Sequence, residues 1–155
     1  MPVVRILVDG YSLLHSWPEL ARGHARHSAA ARDELIRRLG AYQDARGTPV
    51  TIFFDGVSGV SGTPSAPSDR DVEVLYSRSG QTADELIERT AHRLVPYGEV
   101  LAVTDDLAER ETVQSLGGFT SSCWNFIQDV ERALAQQADE IRHHNRQERR
   151  RFGAR

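Results

Sequence analysis

Val3-Val4-Arg5-Ile6-Leu7-Val8-Asp9-Gly10 opens the chain with a nearly continuous apolar run that ends on an acid and a glycine. Such runs mark strands buried on both faces, as in parallel sheets. Two more follow: Val50-Thr51-Ile52-Phe53-Phe54 ends on Asp55-Gly56, and Val100-Leu101-Ala102-Val103-Thr104 ends on Asp105-Asp106. After the first run, the Asp-Gly pair reads as a tight turn. Ser28 is an N-cap for a helix through Arg46, with Ala31, Leu35, Leu39 and Tyr42 inward and Gly47 as its stop. Val72 to Tyr76 alternates like a strand near a sheet edge. Thr82 and Glu85 have capping-box spacing for a helix with Leu86, Ile87, Thr90 and Leu94 inward. A short helix is predicted over residues 107–116 and a brief strand over 119–121. A last helix starts at Ser122, with Phe126, Val130, Leu134 and Ile141 as its core contacts. Strand and helix alternating in this way predict a three-layer α/β domain, a central, mostly parallel sheet of four or five strands with helices on both faces.

Composition narrows the classes. A length of 155 residues suits one domain, and 39% hydrophobic with 26% charged residues is globular. The N-terminus lacks the pattern of a secretory leader, and no apolar run approaches the ~20 residues of a membrane span, so a cytoplasmic protein with no membrane partner is expected. A lone Cys123 excludes an internal disulfide and a thiolate zinc site, and is expected to be a small buried side chain. His24, His27, His143 and His144 lack partners at zinc spacing and read as solvated surface. Trp17 and Trp124 read as packing residues. The Gly/Ser/Pro-rich stretch from Gly56 to Ser68 is expected to be a mobile loop.

The net charge of -3 conceals an asymmetry. All 19 basic residues are Arg, and six of them, Arg142, Arg146, Arg149, Arg150, Arg151 and Arg155, lie in the last fourteen residues, where Glu148 is the only acid. Guanidinium groups pair bidentately with phosphate, so this tail suits a nucleic-acid backbone as well as it suits a solvated helix end.

The acids carry the chemical argument. In open α/β sheets ligands bind beyond the strand carboxyl ends, where Asp9, Asp55 and Asp105-Asp106 are expected; Asp84-Glu85 joins them by opening a helix. Each acid alone has a structural explanation. Asp9 can cap the next helix, and acids in a first helical turn gain ~0.3–1 kcal/mol from the helix dipole. Their recurrence at one sheet edge is another matter, because clustered carboxylates repel unless a cation joins them. Hard divalent ions such as Mg²⁺ take carboxylates, waters and substrate phosphates, which points to metal-assisted phosphodiester chemistry.

Four segments in this order, Ile6 to His15 (Ile-Leu-Val-Asp-Gly-Tyr-Ser-Leu-Leu-His), Phe53-Phe54-Asp55-Gly56, Val74 to Glu85, and Val103-Thr104-Asp105-Asp106, resemble the NYN domain of the PIN-like ribonuclease fold, in its YacP-like branch. The resemblance runs over residues 3–150. It implies a PIN-like nuclease domain over 1–141 followed by an Arg-rich helix end or tail over 142–155. It also implies a Mg²⁺- or Mn²⁺-dependent endoribonuclease that cleaves single-stranded RNA in mRNA turnover, with the ribosome as a further partner, through one or two ions.

Carried over motif by motif, Asp9 is the first-strand ligand, Asp84 the ligand at the helix start, and Asp106 the acid of the family's Thr-Ser-Asp motif. Asp105 stands at the family's Ser, so either member of the pair is a candidate ligand. Asp55 matches a recurrent acid beside or on the metal. Ser12 and His15 in the first motif, Arg78 before the Asp84 helix, and Arg146, Arg149 and Arg150 in the tail are candidate substrate contacts.

Ser12 replaces the family's Asn. Losing an orienting hydrogen bond of that kind typically costs ~10–100-fold in activity or metal affinity, so the alternative reading is an RNA- or ribosome-binding module with weak or no cleavage. A receiver-like domain would want a late-strand Lys, of which the chain has none. A haloacid-type phosphatase would want Asp-x-Asp after the first strand.

Overall fold

The computed structural model describes residues 3–56 and 72–153. Five strands, β1 (Val3–Asp9), β2 (Val50–Phe54), β3 (Glu73–Tyr76), β4 (Glu99–Val103) and β5 (Phe119–Ser121), form one sheet in the order β3-β2-β1-β4-β5, with every pairing parallel. The helices are α1 (Gly10–Ser16), α2 (Ala29–Arg46), α3 (Ala83–Leu94), α4 (Leu107–Ser115) and α5 (Cys123–Gly153). From β1 the chain builds outward through β2 to β3, then returns on the other side of β1 to lay down β4 and β5. The order reverses beside β1, and at such a reversal the connections leave opposite ways and open a crevice at the strand carboxyl ends.

Two apolar cores cover the two faces. Ile6, Val8, Ile52 and Phe54 pack with Leu13 and Leu14 of α1, Leu35 and Leu39 of α2, and Phe126 and Val130 of α5. Leu7, Phe53, Val100 and Ala102 pack on the opposite face with Ile87 and Ala91 of α3 and Val113 of α4. Successive strand residues alternate between these cores because side chains point to alternate faces. The five-strand parallel sheet between helical layers is thus the predicted architecture, and Ser28, Gly47 and Thr82 occupy the predicted caps.

Three local expectations change. No tight turn follows Asp9, because Gly10 is already the first residue of α1. The buried stripe of α3 is Ala83, Ile87 and Ala91, while Leu86 and Leu94 pack at its margin. Two of the three, Ala83 and Ala91, are small, which lets helix and strands approach closely on either side of Ile87. Ile141 is 55% exposed, because α5 runs past the end of the sheet and its last turns meet solvent on all sides. The Arg-rich segment is a continuation of that helix to Gly153. The stretch expected as a mobile loop lies, from residue 57 onward, outside the described residues.

The glycines of the two Asp-Gly pairs are required by packing. A Cβ on Gly10 would fall 2.3 Å from the Phe54 ring, and one on Gly56 would fall 2.0 Å from the Ser77 carbonyl oxygen. Phe54 is fully buried, so its ring cannot step aside without disturbing the core. Gly10→Ala is expected to lower folding stability by about 1–3 kcal/mol through overpacking, read as a reduced denaturant midpoint. An unchanged midpoint would show that the ring relocates freely.

Candidate active site

Strand parity decides which acids meet. Leu7 faces the α3/α4 core, and Asp9, two residues on, points to the same side. Phe53 and Asp55, and Ala102 and Thr104, repeat the relation on the neighbouring strands. Asp105 is out of step and serves the other layer: its Oδ1 accepts the Cys123 N–H at 2.9 Å and its Oδ2 accepts the Ser16 hydroxyl at 3.2 Å.

Helix caps place the remaining acids. Thr82 Oγ1 accepts the Glu85 N–H at 3.1 Å, and Asp55 Oδ1 accepts the Ala83 N–H at 2.7 Å. Together they pin the first turn of α3, and with it Asp84. Asp106 caps α4, its Oδ1 accepting the N–H groups of Ala108 at 2.9 Å and Glu109 at 3.3 Å, while its own N–H donates to Thr104 Oγ1. Glu109 sits four residues before the buried Val113, hence on the sheet-facing side of α4. Asp9 closes the arrangement by capping α1, its Oδ1 accepting the Ser12 N–H at 3.3 Å.

One carboxylate oxygen from each of Asp9, Asp84 and Glu109 lies within 4.8 Å of the others, the only such group of three among the described residues. Asp55, Asp105 and Asp106 stand outside it. Burial pushes Glu109 up to about 8, against an opposing hydrogen-bond influence from Thr104 and with the nearby Asp84 and Asp9 charges adding to it. Burial also raises Asp9 to about 6; bonds from Ser12 oppose the rise, and the Asp84 and Asp55 charges reinforce it.

Glu109 is 2% exposed, and both its carboxylate oxygens are buried with no partner in hydrogen-bonding geometry among the described residues. Thr104 and Asp84 lie close enough to influence its proton affinity, although neither meets its oxygens in full hydrogen-bonding geometry. An unpaired buried carboxylate must be protonated or meet a cation. Oxygens on opposite sides of an octahedral Mg²⁺ are about 4 Å apart, so three oxygens within 4.8 Å fit a hard divalent ion with little adjustment.

The model of the YacP-like NYN domain matches residues 6–155. The chain belongs to this family. The Bacillus subtilis protein YacP is 32% identical over 127 residues, spanning 81% of this chain and 74% of that one. Crystal structures of Rae1 (YacP) from Bacillus subtilis superpose with TM-scores of 0.78, over 96% of this chain and 84% of that one, and 0.76 for a W164L mutant, over 91% and 82%; both are 27% identical. The fold is therefore PIN-like, as the motifs implied. NYN membership implies a nuclease of ribonuclease type, RNA as the substrate class, and general dependence on a divalent metal. No described helix is long and apolar enough to cross a membrane.

Of the expected substrate contacts, Ser12 and His15 line one cavity of about 290 Å³, together with Asp105. Arg78 lines another of about 340 Å³, with Asp55, Ser77 and Gln81. Arg146, Arg149 and Arg150 are exposed on α5, where Arg146 is 23 residues, about 35 Å of helix, beyond Cys123. Trp17 is buried and Trp124 is 66% exposed.

Glu109 escaped the sequence reading. Its signal was a charged residue on the apolar stripe of a predicted helix, four before Val113 and three after the capping acid Asp106.

In the metal-free fold Asp9 and Glu109 hold protons at pH values where the unfolded chain has released them. Stability therefore falls as pH rises from about 4 towards 8 and levels off above that. Thermal unfolding is expected to show this decline, with each tenfold change in proton affinity worth about 1.4 kcal/mol. Mn²⁺ should raise the midpoint more at pH 8 than at pH 5. Glu109→Gln should remove most of the decline and of the Mn²⁺ effect; a wild-type profile retained by that variant would contradict the assignment.

Proposed function

We propose that this protein is a Mg²⁺- or Mn²⁺-dependent endoribonuclease of single-stranded RNA, acting in the cytoplasm in mRNA turnover, with Asp9, Asp84 and Glu109 as metal ligands. The observation that carries the reading is the trio itself, above all the two unpartnered oxygens of the buried Glu109. Asp55, Asp105 and Asp106 are positioning residues in this account. Asp55 fixes α3 and so aims Asp84, Asp106 fixes α4 and so aims Glu109, and Asp105 ties the start of α5 to α1.

A divalent ion bound by the trio would supply Lewis-acid polarisation of the scissile phosphate and a water of lowered pKa. The protein's own part is geometric and electrostatic. Three carboxylates on three separately capped helix starts are held before substrate arrives, so little reorganisation accompanies reaction. Arg78, beside Asp55 in the 340 Å³ cavity, is placed to pair with a neighbouring phosphate. Arg146, Arg149 and Arg150 reach a distant part of the strand, or the ribosome, by backbone contacts without sequence preference.

Ser12 in place of the family's Asn argues less strongly for lost activity than its type suggests. Its backbone N–H donates to Asp9, and its hydroxyl also acts on that carboxylate, so a polar hydrogen-bonding group still holds the first ligand at this position. This favours the enzyme over a binding module.

A 5′-labelled RNA pool incubated with Mg²⁺, Mn²⁺ or EDTA tests the proposal. Metal-dependent fragments should fall at least a hundredfold in Asp9→Asn, Asp84→Asn and Glu109→Gln. Replacing Arg146, Arg149 and Arg150 together by Ala should lessen the log–log salt slope of RNA binding by about 2, at ~0.7 for each phosphate that is no longer neutralised. Cleavage that persists in all three acid variants would exclude the site, and RNA binding without cleavage by the wild type would favour the binding module.

A further inference from the structure

A second feature adjoins the acids along α1. Tyr11, Ser12, His15 and Ser16, with His27 from the segment before α2 and Asp105 after β4, line an open cleft of about 290 Å³. This volume is near the lower end of small-ligand sites. Its aromatic wall is organised. Tyr11 packs edge-on against the buried Phe54 on one side and His27 on the other, both with centroids 5.0 Å apart. Arg32 Nη1 donates to the Tyr11 hydroxyl at 3.2 Å, and Arg26 Nη1 lies 3.4 Å from His15 Nδ1. His15 and His27 are nevertheless exposed. Ring faces held in place yet open to solvent are what unpaired bases stack on in single-strand recognition.

Ser12 joins this cleft to the carboxylates, since it lines the cleft while its N–H rests on Asp9 Oδ1. Sheet order supports the same neighbourhood: β1 lies between β2 and β4, so the cleft containing Asp105 opens on the β4 side of Asp9 and the Arg78 cavity on the β2 side. Asp105 already accepts one hydrogen bond at each oxygen, but an ionised carboxylate offers about four acceptor sites, and the side chain is exposed.

We propose that the cleft is a nucleobase subsite, which takes one unpaired base of the RNA strand lying across Asp9, Asp84 and Glu109, stacks it on the exposed His27 ring that Tyr11 holds edge-on, beside His15, and offers Asp105 to an N–H on the base edge. The inference rests on the nuclease reading and deepens it. One base in the cleft fixes the register of the strand, so cleavage position follows from base stacking beside the metal ligands while Arg78 and the α5 arginines contribute backbone affinity. His15 and His27 are specificity-determining residues in this account. The sequence alone assigned His27 to solvated surface, because its partner Tyr11 is sixteen residues away.

The test uses short single-stranded RNAs carrying 2-aminopurine at one position, walked along the strand, bound in Mg²⁺ to the Asp84→Asn protein. Fluorescence quenching is expected at one position only. Adding His27→Ala, or His15→Ala as an independent variant, should abolish that quenching and weaken binding about tenfold, and an abasic nucleotide at the same position should weaken binding equally. Both side chains are exposed, so an unchanged thermal midpoint will accompany these losses. RNA that binds with no position quenched, or quenching that survives both variants, overturns the subsite and leaves the nuclease reading standing. Failure of the wild type to bind any RNA, or cleavage by the Asp84→Asn protein at the wild-type rate, overturns that reading and the subsite with it.

Discussion

Carboxylate oxygens within 4.8 Å of one another repel by at least about 3 kcal/mol per charged pair at an effective dielectric near 20, so three ionised acids would cost on the order of 10 kcal/mol. That is comparable with the whole stability of a domain this size. The fold nevertheless brings Asp9, Asp84 and Glu109 together and reinforces the meeting with further acids. Asp55 caps α3, Asp106 caps α4, and Asp9 caps α1, so the same residue type that creates the repulsion also fixes the helices that sustain it. Such an arrangement is tolerable with protons on the buried members or with a cation among them. The raised affinities of Asp9 and Glu109 for protons are the metal-free expression of that choice.

The two sides of the sheet divide the labour. Residues in step with Leu7, Phe53 and Ala102 face the α3/α4 layer and supply acids. Residues in step with Val8, Phe54 and Val103 face α1, α2 and α5, where Tyr11, His15 and His27 supply aromatic surface. Asp9 belongs to the first set by its side chain and reaches the second through the helix it caps. In the proposed account, metal binding and base recognition thereby meet at Asp9, at the point where the strand order reverses.

The apolar runs ending at Asp9, Asp55 and Asp105 made the architecture legible, since strands buried on both faces need no partner information to be recognised. Ser28, Thr82 and Gly47 were readable because caps are local. The acidic trio was legible only in part, because the convergence of distant side chains is a tertiary property. Asp9 and Asp84 follow from motif and position. Asp105 and Asp106 lie next to each other in sequence, yet backbone parity sends one to α5 and makes the other a cap. Glu109 carries the partnerless oxygens but resembles a helix-dipole acid until its place on the buried stripe with Val113 is known. His27 was invisible for the same reason, its ring partner being distant in the chain.

Crystals of the protein grown with Mn²⁺ and measured for anomalous scattering test the central claim most directly. The account predicts a Mn²⁺ peak coordinated by carboxylate oxygens of Asp9, Asp84 and Glu109, with Asp55 and Asp106 still capping their helices. A peak held by Asp105 and Asp106 with Glu109 left protonated and uncoordinated, or no peak near these acids at saturating Mn²⁺, would contradict it.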